Sequence, residues 1–222
     1  MTAASVSAGS IEGFGLELRP WDAELIGQMA EWGERGFPYH AFDMGHLRDP
    51  AKAEAALQFA HQTSPHRHYV ACEDGFAVGR VSINLQDVSG LYIWAVHVPP
   101  EHAGRGVCRR MLAALMAHFE DVRPDAPEFV LSSNTFAEPA HRAYRALGFE
   151  VAETRWHFDK EIAERLWKVD PARREPIARH IRFYSGRWQV RTYVLKRRRG
   201  TPMDVGVNRG LRNGVPNRVN GA

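Results

Sequence analysis

Hydrophobic and polar residues along the chain follow two different periods, and together these periods predict an α/β domain. Short runs with alternating or β-branched apolar residues are typical of strands. Such runs occur at 16–21, 68–73, 76–85, 90–98, 128–133, 149–158 and 188–197. Apolar residues that recur every three or four positions predict helices at 23–34, 51–62, 105–120 and 139–147.

The same pattern divides the chain into a folded unit and segments of different character. Residues 1–13 are predicted to be a flexible leader, and 14–199 to be the domain. Two further helices, at about 160–168 and 172–183, are predicted within an insertion at about 159–186, before the last strand. Residues 200–222 are rich in Gly and Asn without an apolar period, which predicts a disordered basic tail.

Composition agrees with a globular domain and argues against several classes of protein. Of the 222 residues, 44% are hydrophobic and 25% are charged, which supports a packed core under a polar surface. No apolar run approaches the roughly 18–20 residues of a transmembrane helix, and the N-terminus lacks the features of a signal peptide. Two cysteines, Cys72 and Cys108, provide no disulfide framework. We therefore expect a cytoplasmic protein with no membrane partner.

Charge is distributed unevenly along the chain. The formal net charge is +3, but residues 196–222 contain seven basic side chains and one acidic side chain, which amounts to +6 and leaves −3 for the rest. A flexible basic segment attracts nucleic-acid phosphates without sequence preference. A solvated terminus without a binding role explains the same composition. Nucleic-acid binding by the tail is therefore one of two interpretations.

The segment AGRGVC at 103–108 lies between a predicted strand and a predicted helix. The first amides of a helix have no partners within it and lie at the positive end of its dipole, so they bind anions that can approach them. Gly104 and Gly106 permit a close approach, and Arg105 and Arg109 add positive charge. An ordinary strand-to-helix turn explains the same glycines, so both interpretations stay open at this point.

This segment and a second one, AEPAHRAYRALGFE at 137–150, resemble signatures of the GNAT superfamily of acyl-CoA-dependent N-acyltransferases. The resemblance covers roughly 16–197 and is specific over 96–150. It implies a mixed, mostly antiparallel sheet flanked by helices, with the helical insertion before the last strand. It also implies acetyl-CoA as the co-substrate and a small molecule or protein that bears an amine as the acceptor.

In this family an Arg/Gln-x-x-Gly-x-Gly/Ala loop binds the pyrophosphate of acetyl-CoA through backbone amides. Here Ala103 stands in place of the Arg or Gln, and Cys108 in place of the final Gly or Ala. The backbone amides remain available despite both changes. The cofactor-binding residues that the resemblance implies in this region are Val96, His97, Val98, Ala103, Gly104, Arg105, Gly106, Val107, Cys108 and Arg109.

The second family signature, Asn-x-x-Ala-x-x-Leu-Tyr-x-x-x-Gly-Phe, matches at its Ala, Tyr and Gly-Phe positions. Ala137 replaces the Asn, and we expect Asn134 to supply the polar contact to pantetheine instead. Tyr144 corresponds to a family tyrosine that lies near the thioester sulfur and often protonates the departing thiolate. The implied mechanism is direct attack by an uncharged amine on a carbonyl that main-chain amides of residues 95–98 polarise.

Other reactive side chains have two interpretations each. His97 has an ordinary pKa near neutrality and is a candidate general base, or it is a structural residue on a strand. Cys108 near a helix N-terminus is a candidate nucleophile, or a small residue that leaves room for phosphate. The spacing of the histidines between 40 and 68 matches no zinc pattern, so we predict no metal site.

The acceptor is the part of the function that the sequence leaves open. Aromatic residues are candidate walls of its pocket: Trp32, Phe37, Tyr39, Phe42, Tyr92 and Trp94. The insertion either shapes this pocket or forms a homodimer interface. Besides an N-acetyltransferase, two alternatives remain: a related enzyme that acts on nucleic acid or a nucleic-acid-bound protein, and a CoA-binding or interaction module with little catalysis.

Overall fold

The computed structural model describes residues 9–62, 65–85, 90–158, 160–167 and 171–206. The strands in these residues are β1 Ile11–Gly13, β2 Leu16–Pro20, β3 His66–Glu73, β4 Phe76–Asn84, β5 Leu91–His97, β6 Glu128–Asn134, β7 Glu150–Phe158, β8 Ile181–Tyr184 and β9 Arg187–Arg198. The helices are α1 Ala23–Ala30, α2 Pro50–Gln62, α3 Val107–Val122, α4 Glu138–Ala146, α5 Lys160–Trp167 and α6 Pro171–Ala178. No helix in this part of the chain is both long enough and apolar enough to cross a membrane.

The strands form one mixed sheet in the order β1-β2-β3-β4-β5-β6-β9-β7, with β8 also paired to β9. Every neighbouring pair is antiparallel except β5 and β6, which run parallel. The α3 helix provides the crossover between these two strands, because parallel neighbours cannot be joined by a tight turn. The expected mixed, mostly antiparallel sheet flanked by helices is thus confirmed.

Helices cover both faces of the sheet, because each face of the sheet is apolar and must be removed from water. On one face α3 buries Val107, Met111, Leu115 and Phe119, the residues whose spacing of four predicted its inner side. On the other face α1 and α2 enclose a second cluster around Trp21 and Leu25. The Asp22 side chain caps α1 by accepting a hydrogen bond from the amide of Leu25 at 2.8 Å.

The insertion differs from the sequence prediction in its second half. A helix over 172–183 is wrong: α6 ends at Ala178, and the next residues form β8. Ser185 and Gly186 both have positive φ, 49° and 73°, and they join β8 to β9 in a tight hairpin. The hairpin, α5 and α6 share a small apolar cluster, which gives the insertion a core of its own.

The C-terminal segment is ordered further than predicted. The amide of Asp204 donates to the Ala146 carbonyl at 2.8 Å, and Met203 and Val205 pack against the main core. Residues 200–206, assigned to the disordered tail, therefore make specific contacts with the domain. At the other end β1 falls within the predicted leader. The remaining tail, 207–222, and residues 1–8 lie outside the described residues.

Part of the basic charge attributed to the tail is structural. Arg197 on β9 is 1% exposed. Its guanidinium donates to the Leu147 carbonyl at 2.8 Å, to a carboxylate oxygen of Glu120 on α3 at 2.9 Å, and to the Thr201 carbonyl. One buried cation thus connects the last strand to α3, to the end of α4 and to the C-terminal segment.

Replacing Arg197 with Met should lower the free energy of unfolding by about 2–4 kcal/mol, because it leaves the Glu120 carboxylate and two buried carbonyls without their donor. Urea unfolding followed by circular dichroism measures the change. Arg198→Gln, on the exposed side of the same strand, should change stability by no more than about 0.5 kcal/mol. Equal effects of the two substitutions would contradict a structural role for Arg197.

Candidate active site

A short loop leads from β5 into α3 and exposes the first amides of that helix. Gly104 and Gly106 both have φ of 77°, a left-handed conformation that side chains with a Cβ rarely adopt. A Cβ added at either glycine would meet no atom within 4 Å, so open space lies beside the loop. Gly106 is the N-cap residue of α3, and no side chain caps the helix there. The loop can therefore hold an anion on backbone amides.

This loop forms one wall of a cavity of about 420 Å³ that also touches β5 and the start of α4. Three arginines line it: Arg35, Arg109 and Arg142. Arg109 lies 3.6 Å from the exposed carboxylate of Asp204, and Arg142 is exposed. The cavity thus combines free helix amides with positive side chains, a combination suited to phosphate groups. Arg35 and Arg142 were not predicted from sequence, because they are distant from the loop along the chain.

The side chain of Arg105 does not take the predicted place beside the phosphates. Its guanidinium donates to Glu73 at 2.7 Å and to His102 at 2.9 Å, and it does not line the cavity. Arg110 donates to the other oxygen of the same carboxylate at 2.9 Å. Glu73, at the end of β3, therefore turns both arginines away from the cavity. Only the backbone of residue 105 remains a candidate for anion contact.

The parallel strands β5 and β6 separate beyond their paired part. Their ladder ends where Ile93 faces Leu131. On its other side β5 carries a bulge: β4 pairs Ser82 with Trp94 but Arg80 with His97, so β5 has one extra residue. Ala95, inside the bulge, has a φ of 53°, which is strained for a residue with a Cβ. The separation opens the sheet and leaves main-chain groups of β5 without a strand partner on that side.

A second cavity of about 480 Å³ fills this opening and joins the first. Val96, Ala103 and Tyr144 line both cavities. Of the other predicted cofactor-binding residues, the first cavity is lined by Val98, Gly104, Gly106, Val107, Cys108 and Arg109, and the second by His97, Asn134 and Ala137. The structure therefore brings these predicted residues together along one groove, with the side chain of Arg105 as the exception.

Tyr144 lies where the two cavities meet. Its side chain is 5% exposed, and burial raises the pKa of its hydroxyl well above the ordinary value, with a smaller contribution from Cys108. The nearby Ser133 side chain opposes this shift. The Ser133 hydroxyl lies 3.2 Å from Nε2 of His141, which is buried on the same helix as Tyr144. The raised pKa keeps the hydroxyl of Tyr144 protonated near neutral pH, as a proton donor must be.

Ser133 and His141 were missed by the sequence analysis. The available signal was weak: Ser133 precedes Asn134, and His141 lies three residues before Tyr144 on one helix face. Burial lowers the pKa of His141, although Glu138 on the same helix opposes that shift.

The environment of His97 favours its structural interpretation. The imidazole is 6% exposed and stacks on Trp32 with ring centroids 5.3 Å apart and planes within 3°. Burial, followed by Arg35 and Arg80, lowers the pKa of His97 to about 3. An imidazole with this pKa is neutral but a weak base, which argues against a general-base role for His97 near neutral pH.

The environment of Cys108 supports its structural interpretation. Burial raises the pKa of the Cys108 thiol to about 12, so it is protonated near neutral pH and a poor nucleophile. Both Cys72 and Cys108 are free thiols. The described residues contain no group of three or more His, Cys, Asp or Glu side chains arranged to hold a metal ion.

The outer part of the second cavity is formed by the chain between α1 and α2. Tyr39, Phe42 and Trp94 line it, as predicted for an acceptor pocket. Three other candidates do not line it: Trp32, Phe37 and Tyr92. The hydroxyl of Tyr39 donates to the Phe136 carbonyl at 3.2 Å. Phe37 instead packs with the cluster of the insertion, which therefore supports the pocket wall.

The model of the Acetyltransferase (GNAT) family matches residues 27–149, more than half of the chain. Comparison with curated protein sequences gives no significant match. A GCN5-related N-acetyltransferase from Brucella melitensis superposes with a TM-score of 0.59 at 14% identity, over 87% of this chain and 80% of that one.

Two further solved structures have the same fold at similarly low identity. An acetyltransferase of the GNAT family from Bacillus anthracis has a TM-score of 0.55 at 12% identity, over 85% of this chain and 98% of that one. A ribosomal-protein alpha-N-acetyltransferase in complex with coenzyme A has a TM-score of 0.51 at 16% identity, over 85% and 97%. These likenesses show the fold, and the family match, which spans the loop, the opened sheet and all of α4, shows that the chain belongs to the GNAT family of acetyltransferases.

Proposed function

We propose that the protein transfers the acetyl group of acetyl-CoA to a primary amine by direct attack. The observation that carries this proposal is the continuous groove from the free amides of α3 to the hydroxyl of Tyr144. One end of the groove suits an anion, and the other end holds a buried proton donor. The solved relative that contains coenzyme A has the same fold, which is consistent with the co-substrate.

The chain's own groups suffice to bind acetyl-CoA along this groove. The amides of residues 104–108 accommodate the pyrophosphate, because the glycines leave open space there. Arg109 and Arg142 supply positive charge at the same end. The main chain of Val96–Val98, together with Asn134 and Ala137, lines the path of the pantetheine arm between β5 and β6.

The chemistry needs an oriented carbonyl, an uncharged amine and a proton for the leaving group. Acetyl-CoA supplies an activated thioester, whose acetyl group passes to the amine nitrogen as the carbon–sulfur bond breaks. Unpaired main-chain amides of the β5 bulge donate to the carbonyl oxygen and stabilise the charge that develops there. Tyr144 gives its proton to the departing sulfur. The proton that the amine nitrogen loses passes to water, and a proton from water restores the Tyr144 hydroxyl, so the products are the amide and free CoA thiol.

The sequence also allowed two other functions: an enzyme that acts on nucleic acid or a nucleic-acid-bound protein, and a binding module with little catalysis. Nucleic-acid binding was ascribed to the tail, whose residues 207–222 lie outside the described residues, so it stays a prediction. A homodimer and a cytoplasmic location stay predictions as well. A binding module without catalysis has no need for a buried proton donor at the end of the cofactor groove, and measurement of turnover separates it from an enzyme.

Replacing Gly106 with Glu should weaken acetyl-CoA binding by at least about tenfold, because a carboxylate beside the pyrophosphate is repulsive. Isothermal titration calorimetry gives the dissociation constant. Gly186→Glu is a matched control, since Gly186 has a φ of 73° and equally open surroundings in the β8–β9 turn. It should bind acetyl-CoA like the wild type; unchanged affinity in Gly106→Glu would refute the anion site.

Replacing Tyr144 with Phe should lower kcat by about 100-fold without changing the KM for acetyl-CoA, because it removes a proton donor used only in the transition state. Release of free thiol across a panel of amines measures both constants. Because burial raises the pKa of Tyr144, the hydroxyl should impose no alkaline limb on kcat below about pH 10. The exposed Tyr184→Phe serves as the control, and equal kcat values for the two variants would exclude the proton-donor role.

A further inference from the structure

Arg80 occupies an unusual position in the wall of the second cavity. It lies on β4, opposite His97 of the β5 bulge, among the apolar residues of a central strand. Its Nε is fully buried and has no hydrogen-bond partner. Among the described residues no carboxylate forms an ion pair with this guanidinium and no oxygen accepts a hydrogen bond from it. Burial lowers the pKa of Arg80 to about 10, which leaves the side chain charged at neutral pH.

Arg80 is half-buried, and a cation that loses much of its hydration without gaining a counter-charge is costly to the folded state. The ring of Trp21 lies 5.6 Å from the guanidinium carbon, and this cation–π contact offsets only part of the cost. The contrast with Arg197 is direct, because that buried guanidinium has an acid and two carbonyls as partners. Arg80 therefore has the properties expected of a side chain that binds an anionic ligand.

Other polar groups of the same wall agree with this interpretation. The indole nitrogen of Trp94 and the hydroxyl of Ser132 are buried without a partner. The indole nitrogen only donates hydrogen bonds, and the hydroxyl can also donate. The second arginine of the wall, Arg35, has Asp43 nearby. Within the described part of the wall the one carboxylate is Glu34, which is exposed at the rim. The inner wall thus offers donors and positive charge.

The remainder of the cavity determines the size and character of its occupant. At about 480 Å³ it has the volume of a small-molecule site, and the pantetheine arm is proposed to take part of it. Tyr39, Phe42, Ile93 and Trp94 provide apolar and aromatic surface. Tyr144 lies in the same cavity as Arg80, so one small molecule can reach both regions.

We infer that the acceptor is a small amine that also carries a carboxylate, with an apolar or aromatic body, and that Arg80 binds this carboxylate. The planar guanidinium matches the two carboxylate oxygens. An amino acid meets this description: its amine points towards Tyr144, its carboxylate pairs with Arg80, and its side chain contacts the aromatic wall. This inference rests on the proposed function, but it concerns a separate group of residues and can fail separately.

Kinetics with matched acceptors test the inference. Free amino acids with apolar and aromatic side chains are compared with their carboxamides, which keep the amine and lose the negative charge. For at least one pair the KM of the acid should be lower by about 30-fold or more, and Arg80→Gln should remove this preference by raising the KM of the acid alone. Arg80→Lys keeps the positive charge but not the planar guanidinium, so it should retain part of the preference for the acid. No preference in the wild type, or an equal loss for acid and amide, would overturn the inference.

Stability distinguishes binding of substrate from a structural role. If Arg80 binds the acceptor, Arg80→Gln removes a half-buried, unpaired charge, and the variant should melt at the same temperature as the wild type or higher. A structural cation would give a lower melting temperature, and that result would count against the inference. Arg155→Gln removes one positive charge from an exposed position on β7 and serves as the control for both assays.

Melting-temperature measurements with added ligands separate this inference from the proposed function. If no amine is turned over although acetyl-CoA binds, the proposed acetyl transfer to these amines is refuted. The carboxylate site is then judged by melting-temperature shifts with the same acids and amides at millimolar concentration. Stabilisation by an acid that is absent with its amide and lost in Arg80→Gln would support the site. No stabilisation of the wild type by any acid would refute it.

Discussion

The separation of β5 from β6 is the constraint on which the rest of the structure depends. The two strands are the parallel pair of the sheet, and their ladder stops at Ile93 and Leu131 while both strands continue. Backbone groups buried without partners are costly, so an open sheet of this kind is stable when a ligand or water completes its hydrogen bonds. The bulge at Ala95 holds β5 in this position. The same opening forms a cavity that adjoins the one at the N-terminus of α3.

The molecule uses a buried arginine, Arg197, and a half-buried one, Arg80, in two physically distinct ways. Arg197 has its hydrogen bonds filled by Glu120, Leu147 and Thr201, so its charge is compensated within the fold. Arg80 has no such partners in the part of the chain that the structure describes, and it faces a cavity. In the first case charge connects elements of structure. In the second, the domain tolerates an uncompensated charge, which is the arrangement expected where affinity for a ligand is favoured over stability.

Much of the fold and the end of the site proposed to bind the cofactor could be predicted from sequence, because both depend on local patterns. The spacing of Val107, Met111, Leu115 and Phe119 predicts the buried side of α3, and neighbouring residues alone determine that spacing. Gly104 and Gly106 indicate the loop for a similarly local reason, since the left-handed conformation excludes most side chains. Tyr144 follows from a family signature within one short helix. None of these predictions requires knowledge of distant contacts.

Tertiary structure alone decided where long side chains point and which distant residues meet. Glu73 turns Arg105 away from the cavity, and the pairing of β4 with the β5 bulge brings Arg80 into it. Ser133 contacts His141 only because β6 lies beside α4. The strand β8 was not predicted, because the local sequence favours a helix there. Pairing with β9 outweighs that local preference. The sequence by itself determined most of the elements and the glycine loop before α3, since short-range sterics and periodicity encode them. The chemistry of the acceptor pocket was decided by the packing of segments far apart in the chain, because charge and burial there depend on neighbours that no local pattern specifies.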